Sequence, residues 1–125
     1  MTITPIDTCS VIRLTGEKFQ RVRDCKDPLV QALIENYRIW QKSDQLNEFY
    51  MTLNPEIESS IIFDTVAVYL TFSNELLKMD KIRLSVTSDG FTKIDETAKS
   101  INVAIEWKDL DAYENFLVKR LTQEN

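Results

Sequence analysis

The chain has no histidine. Histidine is the usual general base near neutral pH and the commonest metal ligand. Without it, Ser–His and Cys–His nucleophile systems are impossible. The only glycines are Gly16 and Gly90, so there is no glycine-rich phosphate loop and no dinucleotide fingerprint. The two cysteines, Cys9 and Cys25, cannot build a structural zinc site in one chain that lacks histidine. They are also too few for the disulfide framework of a small secreted domain, so two free thiols in a reducing compartment are expected. The longest apolar-rich region, 61–72, is interrupted by Asp64, Thr65 and Thr71, well short of the roughly 20 residues that span a bilayer. Met1 to Ser10 has no basic residue and no long apolar run, unlike a secretory signal. A cytoplasmic protein with no membrane association, no metal and no cofactor is expected.

What remains is the composition of one ordinary globular domain. The chain has 125 residues, 43% hydrophobic and 28% charged, enough apolar matter to build a core. With no repeat and no linker-like stretch, residues 1–125 are read as a single α+β domain.

Two helices are well marked. Asp27 suits an N-cap and Pro28 the first helical position. Val30, Leu33, Ile34 and Tyr37 follow helical spacing, with Leu29 and Trp40 widening the stripe, and Arg38 and Lys42 close the segment 28–42. The second helix follows Asp109: Asp111 and Glu114 lie in its first turns, Lys119 and Arg120 in its last. Its stripe is Leu110, Tyr113, Phe116, Leu117 and Leu121, expected to bury against a sheet. Strict alternation predicts strands around Phe49–Leu53, Val66–Phe72, Ile82–Val86 and Ile101–Trp107. Turns are expected at Asn54-Pro55 and Ser88-Asp89-Gly90. Residues 10–14 suggest a short strand and 17–25 a helical turn or two. The order predicts a two-layer α+β fold, a mostly antiparallel sheet of about four strands with helices packed on one face.

Carboxylates are the only candidates left for catalysis. Asp109 and Asp111 are better explained as a helix cap and a first-turn acid, and Asp95 and Glu96 as a solvated loop pair. The basic group Lys18, Arg21, Arg23 and Lys26 surrounds Phe19, but Glu17, Asp24 and Asp27 neutralise most of it, as in a salt-bridged surface turn. The chain is therefore read as a binder and not an enzyme.

Its net charge of −5 is unevenly spread. Residues 43–80 hold Asp44, Glu48, Glu56, Glu58, Asp64, Glu75 and Asp80 against Lys78 alone. Such a field repels nucleic acid and attracts basic proteins. Tyr50 and Tyr69 fall on the polar side of their predicted strands. Tyrosines ringed by carboxylates resemble a binding hot spot with a charged rim. The expected partner-binding residues are Glu48, Tyr50, Glu56, Glu58, Asp64 and Tyr69. Small size, acidity and the absence of catalytic groups point to an inhibitor, such as an immunity protein occluding the cleft of a basic bacterial toxin, a nuclease for example. The alternative is a dimeric secretion-system chaperone or adaptor that holds a client segment in an apolar groove.

Overall fold

A computed structural model describes residues 1–43 and 52–123. In chain order the described elements are β1 (Thr2–Ile3), α1 (Ile6–Cys9), α2 (Gly16–Arg23), α3 (Pro28–Gln41), α4 (Asp64–Tyr69), β2 (Leu77–Val86), β3 (Thr92–Ile94), β4 (Ser100–Trp107) and α5 (Leu110–Thr122). The class is α+β. The sheet order is β1-β4-β2-β3. The β2–β4 and β2–β3 pairs are antiparallel and β1 runs parallel to β4, so the sheet is mixed but mostly antiparallel.

The chain is divided between two compact units, each assembled from two separate stretches. The sheet unit comprises Met1–Val11 and Phe63–Asp109; the helical unit comprises Ile12–Ile62 and Leu110–Asn125.

In the sheet unit, Ile82 stands opposite Ile101 and Leu84 opposite Ile94, as the alternation requires. The β2–β3 hairpin turns through Ser88-Asp89-Gly90, with Gly90 at φ +89°, a conformation that costs glycine little. The Gly90 N–H donates to Thr87 O at 2.9 Å. Helix α1 is tied to β4 at two points: Thr8 Oγ1 donates to Ala104 O, and Trp107 Nε1 donates to Thr8 O, both at 2.8 Å.

One expected strand is a helix. Residues 66–72 were expected to alternate as a strand, yet Asp64–Tyr69 forms α4. Short apolar runs suit either period. Here Val66 and Tyr69, three apart, are buried, while Val68 and Phe72 are exposed. The spacing that wins is the one that puts two large side chains into the core. Of the expected strand 49–53, residues 49–51 lie outside the described residues; Leu53 is buried but belongs to no strand.

In the helical unit, Asp27 caps α3 as its sequence demands, its Oδ1 accepting from Leu29 N at 2.9 Å and Val30 N at 3.3 Å. Leu14, Phe19, Val22, Val30, Ile34 and Val118 form the core, with Cys25, Tyr37, Ile62 and Leu121 packed against it. Val118 places α5 in this helical core. Residues 10–14 form no strand. Instead they hold the segment after Asn54: Ser59 N donates to Leu14 O at 2.9 Å and Ile62 N to Ile12 O at 3.1 Å. The turn at Asn54-Pro55 is present, Asn54 O accepting from Ile57 N and Glu58 N.

Candidate functional site

The six expected partner-binding residues are distributed over the undescribed segment and the two units. Glu48 and Tyr50 lie outside the described residues. Glu56 and Glu58 belong to the helical unit, Asp64 and Tyr69 to the sheet unit.

Both described glutamates are engaged by arginines. Arg38 donates to Glu56 through two bonds, Nε to Oε1 at 2.6 Å and Nη2 to Oε2 at 2.9 Å. The forked guanidinium matches the planar carboxylate, and these bonds hold the Glu56 pKa below its ordinary value. Arg23 Nη1 also donates to the Glu56 carbonyl at 2.6 Å. Glu58 accepts from Arg13 Nη2 at 2.6 Å. Asp64 is exposed in the first turn of α4. Tyr69 is not on a wet face: it is 4% exposed, and its hydroxyl accepts from Ser73 Oγ at 3.1 Å. The helix in place of a strand changes the side it faces.

Several of the other charged candidates are also internally matched. Lys18 Nζ donates to Asp111 Oδ1 and Glu114 Oε2, both at 2.6 Å, which ties α2 to the first turn of α5. Burial alone would lower the Lys18 pKa; these two carboxylates outweigh it and raise it. Arg23 pairs with Asp24. Asp95 accepts from Thr97 N and Thr97 Oγ1, closing a loop turn. Among the described residues no group of three or more Cys, Asp or Glu side chains is placed to hold a metal ion. No described helix is long and apolar enough to cross a membrane.

The surface that stands out is on α3. At about 100° per residue, Val30, Ile34 and Tyr37 share the side turned to the core. Leu29, Ala32, Leu33, Ile39 and Trp40 share a second side, roughly a third of a turn away, and there Leu29 is 79%, Ile39 61%, Leu33 50% and Trp40 37% exposed. A helix with one buried side normally presents one apolar stripe and a polar remainder. Here α3 has a second, largely apolar side interrupted by the exposed Asn36, and Gln31, Glu35 and Arg38 lie on its polar side. The charged border is the ladder Glu35–Arg38–Glu56, in which Arg38 Nη1 lies 3.6 Å from Glu35. Of the expected partner-binding residues, Glu56 alone takes part in this ladder. The signal was in the sequence. The stripe 29–40 is too wide for a helix that buries a single face.

Beneath this face lies a cavity of about 300 Å³. Phe19, Ile34, Tyr37, Ile62 and Leu121 form its apolar walls, Ser59 and Ser60 contribute small polar groups, and Leu33 and Trp40 stand at its border. Because those two are themselves partly exposed, the cavity opens to solvent. The rings of Tyr37 and Trp40 lie 6.0 Å apart, tilted by 32°. The Tyr37 hydroxyl is buried with no hydrogen-bond partner among the described residues. Burial first, and then the nearby Glu58 carboxylate, push its pKa up to about 12 against the opposing pull of Arg13.

The sheet unit also bares apolar side chains. Val86 is 72% and Ile94 69% exposed, and the register places Leu84 beside Ile94 and Val86 beside Thr92. This patch sits at the short end of β2 and β3.

No protein-family model matches the chain, and no curated protein resembles it in sequence.

Proposed function

We propose that the chain is a stoichiometric protein-binding inhibitor, of the immunity-protein kind, that neutralises a basic toxin domain and holds it through the outer face of α3. The observation that carries this reading is the second apolar side of α3, with Leu29, Leu33, Ile39 and Trp40 exposed beside the Glu35–Arg38–Glu56 ladder. Interface hot spots combine a tryptophan or other large anchor with a polar rim that excludes water. The net charge of −5 steers a basic partner toward the chain over distances beyond contact. Glu56 and Glu58 serve as rim and scaffold through Arg38 and Arg13, while the apolar side chains hold the partner.

The test is a tagged pull-down from the native cell at low salt, eluted with a salt step, for the wild type and for the double substitution Leu29→Glu with Ile39→Glu. One basic, folded toxin domain recovered in equal amount by the wild type and lost by the variant is the expected result. Equal recovery by both proteins would remove α3 from the interface. The linear run of exposed apolar side chains along one helix also suits a chaperone or adaptor holding an amphipathic client segment. In that case the captured protein binds through an unfolded segment, and the chain sediments as a stable dimer.

A further inference from the structure

We infer that the sheet unit carries a separate binding site, a notch beside Leu84 and Val86 that takes the free C-terminal end of another polypeptide as an added strand. The site lies apart from α3 and does not rest on the reading of that helix.

The sheet is incomplete at this end. β2 pairs with β3 over residues 84–86, but β4 reaches only to Ser100, opposite Arg83. Arg83 O accepts from Asp95 N, and Thr87 N donates to Phe91 O. The odd-numbered residues here therefore turn their main-chain groups toward β3. Along a strand the residues between them point the other way. Leu84 and Val86 thus present their N–H and C=O groups to the side that β4 leaves empty, and no described residue bonds them there. Unpaired main-chain groups along a strand are a template for another extended segment.

A cavity of about 490 Å³ lies beside these groups, lined by Ile3, Leu84, Val86 and Ile101 among others. The register sets Ile82 opposite Ile101 and Ile3 opposite Val103, so these four apolar side chains share one face of the sheet. Every second residue of an added strand would turn to that face, which calls for an apolar side chain there.

Charge selects the occupant. Lys99 is the one charged side chain among the described residues lining the cavity. It is exposed and makes no hydrogen bond or ion pair with a described residue. It directly precedes Ser100, where β4 begins. A segment entering along the line of β4, antiparallel to β2, is stopped there by Ser100. What it brings to Lys99 is its own carboxylate, which an ammonium binds by a charge-assisted hydrogen bond. Running the other way, it would set an α-ammonium against a lysine. The main-chain groups of Leu84 and Val86 hold the segment, and Lys99 reads its end.

The experiment uses the full chain and short acetylated peptides of alternating serine and valine, ending in valine. One has a free C-terminal carboxylate, one is amidated, and one is amidated with aspartate in place of the last valine. Binding is followed by NMR through the amides of Leu84 and Val86 and the methyl groups of Ile3, Leu84 and Ile101. The free acid is expected to give saturable shifts at these groups and to bind about ten-fold more tightly than the amide, as one hydrogen bond to a charged group provides. Amide exchange at Leu84 and Val86 slows on binding, while Ser85, already paired with Lys93, is unchanged. Lys99→Met makes acid and amide bind alike, whereas Lys93→Met, outside the cavity, keeps the preference. Both lysines are exposed, so the fold tolerates these changes. Absence of saturable binding by the free acid, or a preference that survives Lys99→Met, overturns the inference. An aspartate amide that binds as tightly as the free acid also overturns it, because the notch would then read a carboxylate and not a chain end.

Discussion

The helical unit and the sheet unit expose apolar side chains in different ways. In the sheet unit Val86 is bare at the end of β2 and Ile94 at the end of the three-residue edge strand β3, where a flat pleated surface runs out of neighbours. Short edge strands are a common way for proteins to limit unwanted pairing, so this patch has a structural explanation. In the helical unit the exposed side chains lie along 14 residues of well-capped helix, above a cavity and beside a charged ladder. Exposure in the first case follows from strand length. In the second it follows from a sequence that makes two sides of one helix apolar, which the helical core does not require. A count of exposed hydrophobic residues does not separate these cases, but the element that carries them does.

The largest effect that breaks this comparison is on stability. Phe19 is almost fully buried in the helical core, next to Val22 and Val118. Phe19→Ala should cost about 3–5 kcal/mol, the usual range for emptying such a site. Ile94→Ala, at an exposed strand position, should stay within about 0.5 kcal/mol. Urea unfolding of the two variants measures both. Equal losses would mean that the exposed end of the sheet is covered in solution.

Binding sharpens the comparison next. Leu29→Glu with Ile39→Glu should weaken the partner about 100-fold or more, since hot-spot side chains commonly contribute over 2 kcal/mol each. Both positions are exposed, so folding stability should hold within about 0.5 kcal/mol. Val86→Glu with Ile94→Glu in the sheet unit should leave affinity nearly unchanged. Titration calorimetry with the captured partner reads the four substitutions in one series. A loss confined to the sheet variant would transfer the interface to the other unit.

Much of this architecture was legible in the sequence where one signal had one meaning. Asp27 before Pro28 announced α3, and the alternation over 82–86 and 101–107 announced β2 and β4. The signal failed where two periods fitted the same residues. Val66, Val68, Leu70 and Phe72 alternate as a strand would, yet Val66 and Tyr69 also share a helical side, and the buried pair decided for α4. That misreading carried Tyr69 onto a wet face. The acidic run of 43–80 was legible as a count of charges, but a count does not show that arginines at 13 and 38, distant in sequence, take up Glu58 and Glu56. The outer face of α3 was half legible: Leu29 and Trp40 were seen as widening the stripe, but not as a second side.

Tyr37 gives a smaller effect, confined to alkaline pH. Its neutral hydroxyl is favoured in the folded state, where the pKa rises from 10.0 to about 12. The stability this contributes is fully present below pH 10. It is lost as pH rises from 10 through about 12, because the unfolded tyrosine ionises first. Tyr37→Phe should therefore flatten the decline of the melting temperature across that window. An unchanged slope would mean that the hydroxyl is better solvated than its position indicates.

The smallest effect compares two carboxylates, one from each unit. Glu56 is held below the ordinary glutamate pKa of 4.5 by hydrogen bonds from Arg38, reinforced by the charges of Arg38 and Arg23. Asp95 is held below the ordinary 3.8 by hydrogen bonds from the Thr97 hydroxyl and N–H, and from Ser85, with no cation involved. Both depressed values work in the same direction: the stability they contribute is present above the ordinary carboxylate range and is lost as pH falls through the folded-state pKa. Salt should separate them. The Debye length falls from about 10 Å at 0.1 M to about 3 Å at 1 M, so the charge contribution at Glu56 is screened while the hydrogen bonds at Asp95 are not. Carboxyl NMR titrations at the two ionic strengths should show Glu56 moving toward its ordinary value and Asp95 staying in place. Arg38→Gln should move Glu56 further than salt does, because it also removes the forked bonds. If Glu56 is unmoved by both changes, the ladder along α3 is not formed in solution, and the rim of the proposed interface loses its charge.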